Sequence, residues 1–191
     1  MFPSHDHKGA IVKLDNIINP QFIDRMIPFI KHRATKYLGI NKGANQDSIV
    51  RDYRNVKGYH INMQGSPTDI YYWNYVKKEI QRLFFYYHTK FPLMTSSLVH
   101  QIDLLKYGPG GKYDVHTDNS TYTSRTLSVI MNMNDTYEGG DLIFTDQKEN
   151  EITRYKLGKG SIIFFPSNFI YPHSIQPITK GKRYSIVAWL Q

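Results

Sequence analysis

The chain has 191 residues, 40% of them apolar and 14% aromatic, enough for one domain with an ordinary core and too apolar for a disordered one. It has no cysteine, which excludes disulfides, thiolate metal sites and cysteine nucleophiles and leaves histidine and carboxylate as the available transition-metal ligands. A formal charge of +8 would suit an acidic partner such as nucleic acid, but no basic stripe or tract appears, and a solvated basic surface is the simpler account.

The first sixteen residues, MFPSHDHKGAIVKLDN, lack the apolar core of a signal peptide, and no run approaches the length of a membrane span. A soluble cytoplasmic protein is the expectation. Asn19-Pro20 is a helix start, with Asn19 as cap and Pro20 in the first turn. Phe22, Ile23, Met26, Ile27 and Ile30 follow at near-helical spacing, and Pro28 is expected to kink or shorten this helix. Ser66-Pro67-Thr68-Asp69 reads as a second start, with Asp69 reaching back as in a capping box. Behind it Ile70, Trp73, Val76, Ile80, Leu83, Phe84 and Tyr87 form one apolar helical face, expected to lie on a sheet. Residues 41–65 are polar and irregular, and both strands and a loop near a substrate entrance fit them.

From Leu98 the texture changes to short strands. Those expected are Leu98–Lys106, Thr126–Met133, Asp141–Thr145, Glu151–Lys156, Ser161–Phe165 and Tyr184–Leu190, with glycine-containing turn signals at 108–111, 138–140 and 180–182. Strands following helices predict an α+β protein on a jelly roll, with residues 1–97 a mainly helical support and 98–191 the strand-rich core of a single domain spanning 1–191.

The chemistry concentrates in that second half. In a strand, residues i and i+2 point the same way, so His116 and Asp118 can hold one metal from a strand end with Thr117 turned aside. His173, behind Pro172 in a second strand-like stretch, is the candidate third ligand. Two imidazoles and a carboxylate on one face of a metal, with open positions opposite, form the facial triad of non-haem Fe(II) oxygenases. Arg183 carries a planar fork that matches a carboxylate, and Ser185 shares its face of the strand. Lys182 is the competing cation, on the opposite face of a regular strand.

Three stretches, QIDLLKYGPGGKYDVHTDN (101–119), RTLSVIMNMNDTYEGGDLIFT (125–145) and GKGSIIFFPSNFIYPHSIQPITKGKRYSIVAWL (158–190), together resemble the 2-oxoglutarate- and Fe(II)-dependent dioxygenases, most closely the prolyl 4-hydroxylase-like branch. The resemblance implies a double-stranded β-helix core, iron held by His116, Asp118 and His173, and the distal carboxylate of 2-oxoglutarate held by Arg183. It further implies a hydrogen bond from Tyr107 to the oxoacid, with Tyr113 in the iron pocket and Asn132 at the oxoacid end. Arg125 matches a recurring family arginine, and either contact with substrate or support of the loop after the His-X-Asp strand would explain it. Gly139-Gly140 is expected to be structural, and Asp141 is not expected to be catalytic.

The implied activity is hydroxylation of an aliphatic C–H bond with release of succinate and carbon dioxide. It would use Fe(II), 2-oxoglutarate and dioxygen, with ascorbate supporting turnover. A prolyl residue in a peptide or protein is the expected substrate, with the polar segments 41–65 and 119–124 as lips of its groove. A free amino acid or small metabolite is the alternative. Nucleic acid is disfavoured, because relatives acting on it usually carry a second arginine after the oxoacid-binding one, whereas Arg183 is followed by YSIVAWLQ. A non-catalytic jelly-roll binding module is the alternative of a different class, and such a module would be expected to lose a metal ligand or the arginine.

Overall fold

The structure is a computed structural model that describes residues 7–41, 47–95, 98–119 and 124–191. After a short strand β1 (Val12–Leu14), helix α1 (Pro20–Arg33) begins where Asn19 accepts a hydrogen bond from the Gln21 backbone. Pro28 does not shorten it. The proline lies on the exposed face, where water can take the Asp24 carbonyl that it leaves without a helical partner. Strands β2 (Lys36–Tyr37), β3 (Ile40–Asn41), β4 (Asp47–Ser48) and β5 (Lys57–His60) then precede helix α2 (Pro67–Lys90), capped by the Ser66 hydroxyl.

The remainder is strand: β6 (Val99–Tyr107), β7 (Tyr113–His116), β8 (Leu127–Asn132), β9 (Tyr137–Gly139), β10 (Leu142–Thr145), β11 (Glu151–Tyr155), β12 (Ile162–Pro166), β13 (His173–Ile175), β14 (Ile178–Gly181) and β15 (Arg183–Leu190). They form a seven-stranded sheet in the order β1-β12-β8-β15-β6-β5-β2 and a four-stranded sheet in the order β11-β10-β13-β7, with β14-β9 and β3-β4 as small pairs. All the paired strands are antiparallel, and the two larger sheets pack face to face as a double-stranded β-helix. The division at residue 97 does not separate helix from sheet. β1 closes one edge of the large sheet, and β5 with β2 closes the other.

Alternation along the large sheet sorts the residues. Ile102 and Leu104 of β6, Leu127, Val129 and Met131 of β8, and Ile186, Ala188 and Leu190 of β15 face the helices. There they meet Met26 and Ile30 of α1 and Trp73, Val76, Ile80 and Leu83 of α2. The apolar face of α2 is the one expected, except that Ile70 is exposed; on α1, Phe29 is buried while Ile27 is only half-buried. Leu105, Ile130, Val187 and Trp189 point the other way, toward Leu142, Phe144 and Ile175 of the small sheet. The two glycines at 139 and 140 have φ of 75° and 70°, and a Cβ on Gly139 would lie 2.2 Å from the Pro177 carbonyl oxygen. Both the left-handed backbone and the close approach require glycine there. No helix among the described residues is long and apolar enough to cross a membrane.

Asp69 does more than cap. Its buried carboxylate accepts from the Ser66 hydroxyl, from Tyr59 of β5 at 2.8 Å and from Arg33 at the end of α1, so it joins both helices to the sheet edge. Burial pushes this carboxyl up, but the bonds from Arg33, Tyr59 and Ser66 outweigh it and hold it below its ordinary value of 3.8. Its folded-state pKa is therefore depressed, so its contribution is complete above the ordinary value and is lost as pH falls through the folded-state value. Asp69→Ala is expected to cost about 3 kcal/mol in denaturant unfolding at neutral pH, because Arg33 loses the carboxylate that balances its charge and keeps only the Tyr59 hydroxyl and neighbouring rings. The difference from wild type should shrink in strong acid.

Candidate metal and oxoacid site

His116 ends β7, Asp118 follows two residues on, and His173 opens β13 directly opposite His116 in the antiparallel register. Their ligand atoms all lie within 4.8 Å of one another, a cluster unmatched among the described residues. The Nε2 atoms of His116 and His173 stand 3.7 and 3.6 Å from the two Asp118 carboxylate oxygens. Atoms bound about 2 Å from a shared ion sit roughly 3–4 Å from each other, so the spacing fits one divalent metal.

Backbone carbonyls orient both rings. His116 Nδ1 lies 2.8 Å from the Asp114 carbonyl oxygen and His173 Nδ1 lies 3.1 Å from that of Tyr171, so each Nδ1–H donates and each Nε2 lone pair turns to the cluster. Burial, reinforced by His173, depresses His116 to about 3 and keeps it neutral, the form that binds metal. Burial raises Asp118, but His173, His116 and the 2.6 Å hydrogen bond from Ser128 bring it down to about 2. Ser128 in turn pairs with Ser167 at 2.7 Å.

One cavity is lined by these three residues and by Tyr107, Tyr113, Arg183, Ser185 and Trp189. Arg183 of β15 stands directly across from Tyr107 of β6, and Ser185 directly across from Asn132 of β8. The Arg183 side chain is 1% exposed, and its Nε donates to Asn132 Oδ1 at 3.0 Å. The Asn132 amide is itself locked by the carbonyls of Asn134, Leu157 and Gly158. Both terminal nitrogens of Arg183 and the hydroxyl of Ser185 are buried without a partner among the described residues. A buried fork of unspent donors has the geometry to receive a carboxylate. Lys182, the competing cation, is exposed.

The other expected residues take distinct places. Tyr113 stacks on His116 with ring centroids 3.6 Å apart, and burial pushes its phenol up to about 12. Burial likewise raises Tyr107, which stays a neutral donor. Arg125 supports the loop after the His-X-Asp strand: it donates to the Asp118 carbonyl at 3.1 Å and to Gln101 Oε1 at 2.7 Å while lying over the Trp189 ring. Asp141 pairs with Arg154 on the surface, outside the cavity. Of the two expected lips, 42–46 and 120–123 lie outside the described residues, whereas 53–55 hydrogen-bond to the edge of β7.

Besides the cavity's aliphatic wall, two hydrogen-bonding lining residues escaped the sequence reading, Trp189 and Arg54. Trp189 follows from Arg183 and Ser185 by the same alternation and could have been found that way; its indole N–H is buried without a partner. Arg54 reaches the cavity through a bridge to Tyr113 and had no local signal.

A family model described as the 2OG-Fe(II) oxygenase superfamily matches residues 102–191, the stretch that supplies every one of the site residues except Arg54. Over these residues the chain carries the superfamily's pattern. Among curated members it is similar to a PKHD-type hydroxylase of Picosynechococcus sp., 33% identical over 97 residues, 49% of this chain and 42% of the relative. It is also similar to human Prolyl 3-hydroxylase 2, 39% identical over 69 residues, 36% of this chain and 10% of that protein. The chain thus spans less than half the length of these curated relatives. Among solved oxygenase structures, a Trichoplax adhaerens prolyl hydroxylase in complex with a hypoxia inducible factor peptide superposes with a TM-score of 0.72 at 15% identity, over 95% of this chain and 83% of that one. A Pseudomonas putida prolyl-4-hydroxylase gives 0.69 at 17% identity, over 95% and 92%. The shared fold is that of the superfamily's prolyl hydroxylases.

The cluster is expected to bind one Fe(II), or Mn(II) as a stand-in, under anaerobic titration. Asp118→Ala should abolish that binding, and Ser128→Ala should weaken it roughly 10- to 100-fold by freeing the carboxylate from its orienting hydroxyl. Unchanged affinity in Asp118→Ala would remove this residue from the ligand set.

Proposed function

We propose that the chain is a 2-oxoglutarate- and Fe(II)-dependent dioxygenase that hydroxylates an aliphatic C–H bond, with a prolyl residue of a peptide or protein as substrate. The observation that carries the reading is Arg183. Its buried guanidinium, whose two terminal nitrogens have no partner among the described residues, faces the same cavity as the His116, Asp118 and His173 cluster, so one small dicarboxylate could touch both. His116, Asp118 and His173 would hold the iron, and Arg183 with Ser185 and Tyr107 would hold the far carboxylate of the oxoacid. When bound, iron and 2-oxoglutarate supply the oxidising chemistry, in which the oxoacid is converted to succinate and carbon dioxide while one oxygen atom of dioxygen enters the substrate C–H bond.

The chain's own residues bind, orient and exclude water. Asn132 holds Arg183 through Nε and leaves its terminal nitrogens for ligand. Leu105, Ile130, Ile175 and Val187 wall the cavity with hydrocarbon, which strengthens each charged contact inside it. Arg125 keeps the Asp118 backbone in place. The peptide reading draws on relatives and fold neighbours named as prolyl hydroxylases, one of them in complex with a peptide fragment. Ascorbate belongs to the proposal as a reductant that sustains turnover.

Arg183→Ala is expected to weaken 2-oxoglutarate binding on the order of a hundredfold, since a bidentate charge-assisted contact contributes a few kcal/mol, and Arg183→Lys should retain only part. Calorimetry on the anaerobic metal complex reads both. Equal affinity in wild type and Arg183→Ala would place the oxoacid elsewhere.

Incubation with Fe(II), ascorbate, 2-oxoglutarate and separate pools of proline-containing peptides, amino acids and oligonucleotides tests the substrate. Succinate release with a gain of one oxygen in a peptide is expected. A response to free amino acids or oligonucleotides alone would replace the substrate while keeping the chemistry, and no succinate with any pool would favour a binding module.

A further inference from the structure

A second cleft, of about 330 Å³, lies on the helix side of the large sheet, beyond the end of the apolar layer. Its volume falls within the range of small-ligand pockets, roughly 300–1,000 Å³. Arg51, Lys57, Lys106 and Lys182 line it together with Tyr37, and no acidic residue does. These cations are scattered along the chain, so the sequence shows no basic tract; β-sheet register sets Lys57 opposite Lys106, and the turn at Arg51 and the link at Lys182 bring the other two to the same cleft. Tyr37, Lys57, Lys106 and Tyr184 are consecutive cross-strand partners on β2, β5, β6 and β15, so they form one row on the outer face.

This arrangement is unfavourable by itself. Like charges directly opposite on neighbouring strands repel, and none of the four cations is in an ion pair among the described residues. Burial, then Lys57 and Lys182, depress the pKa of the Lys106 ammonium. Arg51 and Lys57 lie over the Tyr37 ring at 4.4 and 5.1 Å, so this ring braces cations and is not free to stack a base. A recess with several converging cations and no stacking platform selects for charge on a compact frame.

We propose that this cleft is a second binding site, specific for a compact anion of three or more charges such as a di- or triphosphate group. It is separate from the oxoacid site. Lys106 and Lys182 are chain neighbours of Tyr107 and Arg183, but strand alternation turns Lys106 to the opposite face of the sheet, and Lys182, just before β15, lines the same cleft and not the oxoacid cavity. The proposal does not depend on the oxygenase chemistry.

Calorimetric titration of the full chain with pyrophosphate and with tripolyphosphate, without divalent ions and at two salt concentrations, tests it. Saturable one-to-one binding that weakens with salt and raises the melting temperature is expected. The Lys57→Gln/Lys106→Gln double variant should bind at least about tenfold more weakly, having lost two charge-assisted contacts. Removing the repelling pair should leave its melting temperature without anion no lower than that of wild type. If it does melt lower, Lys182→Gln at the exposed rim gives the same reading without touching the sheet. Arg183→Ala and an excess of 2-oxoglutarate should leave tripolyphosphate binding unchanged. Absence of saturable binding, or equal affinity in the lysine variants, would overturn the proposal. Loss of binding in Arg183→Ala would put the anion in the oxoacid cavity instead. Affinity for single-stranded oligonucleotides that grows with length and exceeds that for tripolyphosphate would replace the compact ligand by nucleic acid.

Discussion

A guanidinium taken out of water loses several kcal/mol of hydration unless charge and hydrogen bonds replace it. Arg183 is among the largest fully buried side chains described, yet among the described residues no carboxylate neutralises it and only its Nε is bonded. The surrounding structure has to hold that charge in place. Asn132 accepts from Nε, three backbone carbonyls immobilise the Asn132 amide, and Tyr107 presents its ring 5.5 Å away. What remains is a rigid fork with two nitrogens unspent, facing the cavity that the His116, Asp118 and His173 cluster also faces.

The large sheet makes this possible because its two faces have different tasks. Along β8, Leu127, Val129 and Met131 enter the helix-covered core, while Ser128 and Asn132 point inward. Ser128 holds the Asp118 carboxylate and Asn132 holds Arg183, four residues or about 13 Å of strand apart. One strand therefore sets the separation between the two ends of the site. β15 repeats the pattern, with Arg183, Ser185, Val187 and Trp189 inward and Tyr184, Ile186, Ala188 and Leu190 outward. The apolar outer residues pack on α1 and α2, and that burial stabilises strands whose inner face carries polar groups. The same two-sidedness puts Lys57 and Lys106 outside, past the end of the helical cover.

The histidine–aspartate end of the cavity depends on local chain geometry more than on long-range packing. His116 and Asp118 share a face through i, i+2 spacing, and each imidazole is fixed by a carbonyl two residues before it, Asp114 for His116 and Tyr171 for His173. Long-range structure contributes the register that sets His173 opposite His116, and the Ser128 and Arg125 contacts that hold Asp118.

Much of this was legible in the sequence. The His-Thr-Asp triplet, the face shared by Arg183 and Ser185, the caps at Asn19 and Ser66 and the glycine pair at 139–140 are all short-range features, because strand period, capping geometry and positive φ are decided within a few residues. By itself the sequence determined which residues cluster as candidate ligands, the fold class and most of the strands of the second half. Residues brought in from a distance were not legible. Arg54 reaches the cavity only through a bridge to Tyr113, Asp69 is drawn from its capping role by Arg33 and Tyr59, and the strands of the first half are short pieces recruited to sheet edges. The basic cleft is likewise invisible along the chain. Tertiary structure alone decided these, because cross-strand register and the burial of one residue against another depend on the partner's position in space and leave no period in the chain itself.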